Sequence, residues 1–139
     1  AVSFNDKVSD KNREFTIKLF ESFGKAEVVS ESLMDAVIGV SGSSPAYVYM
    51  MIEAMAQAGV GFGIPMDTAI EMAAQSVLGS ALMALSSGEH PSVLRDAVCS
   101  PGGTTIEAVK ILEKTGFKAS VMQAMDACAE KSKAMSRSK

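Results

Sequence analysis

The stretch from Ala46 to Ala58, AYVYMMIEAMAQA, constrains the fold more than any other part of the chain. It reads as a helix, and Tyr47, Val48, Tyr49, Met50, Met51, Ile52, Ala54, Met55 and Ala56 leave it almost no polar face. Only Glu53 and Gln57 interrupt it, on one narrow side. A helix apolar nearly all round must be buried nearly all round. Ser44 stands before it as a cap, and Pro45 suits its first position. The chain has 139 residues, 47% of them hydrophobic, which is one ordinary globular domain. A domain of that size can hardly wrap a central helix completely. The expected fold is therefore an all-α helical bundle, interlocked with a second chain as a dimer.

The other elements follow from the same periodicity. Ala1–Lys7 is polar and expected to fray. Ser9 can cap a helix with Asp10 in its first turn; Phe15, Leu19, Phe20 and Phe23 give it an apolar face, and Gly24 suits its stop. Ala26–Val29 reads as a short strand with nothing to pair with in this chain. Glu31–Val40 reads as a short helix ending near Gly39. Gly59-Val60-Gly61-Phe62-Gly63 follows a helix rather than a strand and lacks the third spacing of a dinucleotide fingerprint, so it reads as a helix stop and a turn before Ile64-Pro65. Met66–Ser87 is the longest helix. Asp67, Glu71 and Gln75 mark its wet side; Ile70, Ala74, Val77, Leu78, Ala81, Leu82 and Leu85 line the other; Gly88 ends it. Pro91 opens a short helix through Cys99, and Phe117–Ala134 is amphipathic on Val121, Met122, Met125 and Cys128. The ten methionines fall mostly at such apolar positions and read as packing.

Several function classes are disfavoured. The net charge is −3 and no basic stripe appears, which argues against nucleic acid. Lys131, Lys133, Arg137 and Lys139 read as a solvated helix end. No uninterrupted apolar run approaches the ~18–20 residues of a membrane span, and no secretory signal pattern opens the sequence. Cys99 and Cys128 have no metal spacing and fit reduced thiols in a cytoplasm. His90 has no second ligand at metal spacing, so no metal site is expected.

Chemistry concentrates at Ser100-Pro101-Gly102-Gly103-Thr104-Thr105, a loop that turns straight into a helix. Thr104 and Glu107 have capping-box spacing, and Ile106, Val109, Ile111 and Leu112 supply the apolar face beyond. The start of a helix presents unpaired N–H groups and a partial positive charge. Two glycines remove side chains that would keep a ligand from that backbone. This is a small-anion cradle. It has no Gly-Lys-Ser/Thr, and no Lys or Arg lies between Arg95 and Lys110, so it suits one carboxylate better than a triphosphate. The same residues would also serve as a mere break between two helices.

The run Leu94-Arg95-Asp96-Ala97-Val98-Cys99-Ser100-Pro101-Gly102-Gly103-Thr104-Thr105-Ile106-Glu107-Ala108 resembles the signature of the pyrroline-5-carboxylate reductase family. Asp35-Ala36-Val37 and Ser41-Gly42-Ser43-Ser44-Pro45-Ala46-Tyr47 resemble a second family stretch, with Ser44 where the family usually has Gly. The resemblance runs from about Leu33 to Ala134. It implies reduction of the C=N bond of 1-pyrroline-5-carboxylate by NADPH or NADH, the last step to proline. It implies that the backbone of Gly102, Gly103, Thr104 and Thr105, with the Ser100 hydroxyl, holds the substrate carboxylate. It implies Thr105 as the catalytic hydroxyl at the ring nitrogen, and Ala97 and Val98 beside the nicotinamide. The family often has an acidic residue just before its His-Pro; Glu89 precedes His90 here, and Gly88 occupies the position acidic in some members. The resemblance further implies a homodimer, in some members a higher oligomer of dimers. Residues 1–30 then close a preceding dinucleotide-binding domain, and residues 31–139 form the dimerisation and substrate-binding domain. On that reading the chain is the C-terminal part of a longer enzyme and is inactive alone. A helical self-association module without chemistry is the alternative.

Overall fold

A computed structural model describes residues 1–137, and Lys139 lies outside them. The described chain is all-α apart from one isolated bridge. It divides into two compact units: Ala1–Ser44 with the chain from Gln123 onward, and Pro45–Met122.

In the first unit, α1 spans Asp10–Glu21. Ser9 caps it, accepting from the Asn12 N–H at 3.4 Å. The helix stops at Ser22 rather than Gly24; the Ser22 hydroxyl donates to the Leu19 carbonyl at 2.7 Å and closes the end. The first residues are not frayed. Val2 pairs in parallel with Val28: its N–H donates to Glu27 O at 2.9 Å, and its carbonyl accepts from Val29 N–H at 3.0 Å. The strand-like Ala26–Val29 thus has a partner within the chain, because α1 is the long crossover that a parallel pair requires. Arg13 secures the same segment. It donates to the carbonyls of Val8 and Asn5 and lies 5.2 Å from the Phe4 ring centre.

Residues 31–42 do not form one short helix. A 3₁₀ turn (Glu31–Leu33) leads into α2 (Met34–Val37) and then a π-helical turn (Ile38–Gly42), closed by Ser43 N–H on Ile38 O at 2.8 Å. Gly39 is no stop. It is buried against the last helix, where an added Cβ would lie 3.1 Å from the Met125 carbonyl oxygen. Ser132 Oγ donates to Asp35 at 2.5 Å, and Ser43 Oγ lies 3.0 Å from Cys128 Sγ.

The second unit is built on α3 (Ser44–Gly61) and α4 (Met66–Ser87). Helix α3 begins at Ser44 and continues past Ala58 because Gly59 is a packing residue: its missing Cβ would sit 3.1 Å from the Ala69 Cβ. The turn comes later, at Gly63 with φ +92°. Ala56, Ala69 and Ala73 are the buried apolar side chains among the described residues. Gly88 takes the left-handed conformation that ends α4. The expected lining of α4 is a correction: Ile70, Leu78, Leu82 and Leu85 are exposed in the single chain, Leu85 at 74%. Tyr49 and Met50 of α3 are exposed as well, as are Met72, Met83 and Met122, so these methionines do not pack within one chain. By length and composition α4 is apolar enough to cross a membrane, which revises the absence of such a segment expected from sequence. The unit continues with α5 (Pro91–Ala97), α6 (Thr104–Lys114) and the start of α7 (Phe117–Arg137), with Gly116 left-handed at φ +78° between the last two.

Candidate functional site

Helix α5 starts at His90, whose Nδ1 accepts from the Ser92 N–H at 3.2 Å; the imidazole is a cap. The helix ends at Ala97, two residues before the expected Cys99, and Cys99 N–H closes on Asp96 O at 3.0 Å. Ser100–Gly103 then makes a tight turn. Pro101 stands second, Gly102 third with φ +69°, and Gly103 N–H donates back to Ser100 O at 2.9 Å. Proline followed by a left-handed glycine is the composition of a type II turn. Each glycine has its own reason: Gly102 supplies the positive φ, and a Cβ on Gly103 would meet Ser100 O at 3.1 Å. Turn closure, rather than ligand access alone, fixes the Gly-Gly pair.

This geometry corrects two expectations. The Gly103 N–H is spent inside the turn and is not available to an anion. The capping box does not form. Gly103 is the cap residue, Thr104 is the first helical residue, and Glu107 accepts from Lys110 at 2.7 Å. What remains is a cradle one residue further along. Among the described residues nothing accepts from the N–H groups of Thr104, Thr105 or Ile106, the orphan donors of a helix start. Ile106 is the donor that spacing did not single out.

Thr105 is half-buried on this first turn. Elsewhere helical hydroxyls bond the carbonyl four residues back: Thr16 on Asn12, Ser80 on Ser76, Thr115 on Ile111. Four residues before Thr105 lies Pro101, in the turn, and no partner for Thr105 Oγ1 occurs among the described residues. One residue therefore offers a backbone donor and an uncommitted hydroxyl. Ser100, Gly102 and Thr104 are exposed around it, and Gly103 is half-buried.

Ala97 and Val98 lie on a separate feature, a groove of about 560 Å³. Its floor is Gly79, Ser80 and Met83 of α4, and its wall is Leu94 and Arg95 of α5. The Ser100–Thr105 turn does not line it. The apolar surface of Ala97 and Val98 fits the face of an aromatic ring. Arg95 is occupied by its neighbours: Asp96 above all, through hydrogen bonds and charge, and Glu113 more weakly, hold its guanidinium more firmly cationic than usual. Glu113 is held below the ordinary carboxylate range by the hydrogen bond from Lys118 first and by Arg95 less. The cradle therefore offers neutral donors, and no free cation stands beside it.

Comparisons agree with the motif. Residues 31–135 match the family model described as pyrroline-5-carboxylate reductase dimerisation. A pyrroline-5-carboxylate reductase of Escherichia coli is 53% identical over 138 residues, covering 99% of this chain and 51% of that protein. A crystal structure of 1-pyrroline-5-carboxylate reductase from Streptococcus pyogenes superposes with TM-score 0.85 at 42% identity, over 94% of this chain and 50% of that one. A Plasmodium falciparum pyrroline carboxylate reductase with NADP bound gives TM-score 0.84 at 36% identity, over 96% and 55%. The chain spans about half the length of the curated relatives it matches.

Proposed function

This chain belongs to the pyrroline-5-carboxylate reductase dimerisation family, and we propose that it supplies the dimer interface and the substrate site of an enzyme that reduces 1-pyrroline-5-carboxylate to L-proline with NADPH or NADH. The observation that carries the reading is the first turn of α6, where the free N–H groups of Thr104–Ile106 stand beside the unpartnered Thr105 hydroxyl. A carboxylate accepting from those N–H groups is stabilised by the helix dipole as well. The substrate ring then projects past Thr105, whose Oγ1 can hold a proton at the ring nitrogen as that atom changes from imine to amine. Ser100 adds a hydroxyl at the rim. The nicotinamide cofactor supplies hydride when bound, and Ala97 and Val98 would form the apolar wall against its ring. Keeping water from that wall and fixing the carboxylate are what this chain contributes to the reaction.

Residues 1–30 close the preceding dinucleotide-binding domain on this reading. Two facts support it: the family match begins at residue 31, and Val2, α1 and Val28 form a strand–helix–strand crossover. The homodimer is supported by the exposed apolar residues of α3 and α4. A soluble dimer core accounts for α4 without a membrane, and the free thiols of Cys99 and Cys128 suit a reducing cytoplasm. A purely structural self-association module shares the apolar helices but has no use for the cradle. Titration with L-proline, followed by amide NMR on the full-length enzyme, separates the two. Shifts centred on Thr104–Ile106 are expected; their absence at millimolar L-proline would refute the carboxylate reading.

A further inference from the structure

An acidic residue at the C-terminal end of a helix opposes the peptide dipoles, which favour cations there. Glu113 occupies such a place, next to the last residue of α6. Two cations compensate it. Lys118 Nζ, from the first turn of α7, donates to Glu113 Oε1, and Arg95 Nη1, from the last turn of α5, lies 3.8 Å from the same oxygen. Arg95 in turn donates from Nε and Nη2 to Asp96 Oδ1 at 2.9 and 2.6 Å. Asp96, Arg95, Glu113 and Lys118 thus alternate in sign across the ends of three successive helices. The approach of Arg95 to Glu113 has a topological result: it closes the chain between them into a ring, and every residue of the cradle lies within that ring.

We propose that Glu113 is a positioning residue for the carboxylate cradle, bracing the Arg95–Glu113 ring so that the N–H groups of Thr104–Ile106 keep one direction. This rests on the carboxylate reading above. Helix α6 is a short rod of 11 residues, joined to α5 by a single tight turn. With its far end released, the rod pivots on that turn and the donors sample more orientations. A ligand must then re-order them on binding. The cost falls on binding rather than on the chemical step, because Glu113 touches neither the reacting ring nor Thr105.

The test uses the full-length enzyme as wild type, Glu113→Gln and Lys118→Met. Steady-state kinetics are combined with calorimetric titration of L-proline. Glu113→Gln is expected to raise the L-proline Kd and the KM for pyrroline-5-carboxylate by ~2- to 10-fold, the range that exposed ion pairs supply. Its kcat and its KM for NADPH should stay within about twofold. Lys118→Met removes one contact and should move the same quantities less. Raising the salt should weaken wild-type L-proline binding toward the Glu113→Gln value and leave the variant flat, since exposed ion pairs are screened. Unchanged Kd and KM in Glu113→Gln, or a fall in kcat alone, would overturn the positioning role. Failure of the wild-type enzyme itself to bind L-proline would overturn the carboxylate reading, and the brace with it.

Discussion

Replacing Thr105 by Ala tests the site at its narrowest point. The substitution removes Oγ1 and leaves the backbone N–H in place, so the anion donors of Thr104–Ile106 survive. In the folded chain Oγ1 has no hydrogen-bond partner among the described residues. Its loss should therefore cost less than the ~0.5–1.5 kcal/mol of a broken hydrogen bond. Alanine also has the better helix propensity, by up to ~0.7 kcal/mol. These effects nearly cancel, and Tm should change by no more than about 3 °C at matched protein concentration. Catalysis should respond differently. A hydroxyl that holds a proton at the ring nitrogen acts more strongly in the transition state than on the bound imine. General acid–base groups contribute ~10²–10⁴-fold, and one that only orients a proton falls near the low end. A loss of ~10² in kcat corresponds to about 2.7 kcal/mol. The KM for pyrroline-5-carboxylate should rise less than about threefold, because carboxylate capture is retained. Thr105→Ser keeps the hydroxyl and should recover most of the rate. Steady-state kinetics and thermal melts on the full-length enzyme make the comparison. A lowered Tm with unchanged kcat would show that the hydroxyl supports structure only. A rise in KM as large as the fall in kcat would show that it acts in ground-state binding.

Gly103→Val should raise the L-proline Kd by ~10-fold or more, since its Cβ meets Ser100 O at 3.1 Å and forces the turn open; unchanged affinity in calorimetry would count against the turn as the cradle's frame. Leu82→Glu, on the exposed face of α4, should shift the protein from dimer to monomer in sedimentation velocity at micromolar concentration; a dimer of wild-type affinity would place the interface elsewhere. Glu113 has a depressed pKa, so its contribution to stability is present above the ordinary carboxylate pKa of ~4.3 and is lost as pH falls through the lower folded value. Acid melts from pH 5 to 2.5 should therefore show a steeper loss for wild type than for Glu113→Gln, and parallel curves would refute the linkage. The chain by itself should neither bind NADPH at micromolar concentration nor oxidise it with pyrroline-5-carboxylate; calorimetry and absorbance at the nicotinamide band check both.

Much of this was legible in sequence where one local rule acts alone. The glycines after Ser87 and Thr115 end their helices in the left-handed conformation, as the apolar periodicity before each suggested. Legibility failed where a residue had two possible uses. Gly39 and Gly59 read as stops, but both lie in continuous helical backbone because another helix passes too close for a Cβ. Spacing alone cannot distinguish a break from a close approach. Thr104 and Glu107 had the right separation for reciprocal capping, yet Lys110 competes for the carboxylate and Gly103 takes the cap position. The N–H of Gly103 was assigned to a ligand because an i-to-i+3 turn bond is invisible in composition. The exposed stripe of α4 was correctly read as apolar; the sequence does not say whether its cover comes from the same chain.

The buried contact between α3 and α4 is made of Ala56, Ala69, Ala73 and Gly59, among the smallest side chains available. Small residues allow two backbones to approach closely but release little apolar surface from water. A subunit resting on such a contact has a shallow energy minimum of its own. Separation of two copies is then coupled to partial unfolding of each, so exchange between labelled dimers should run at the unfolding rate rather than at a simple dissociation rate. Refolding from denaturant should show a second-order phase whose rate scales with protein concentration.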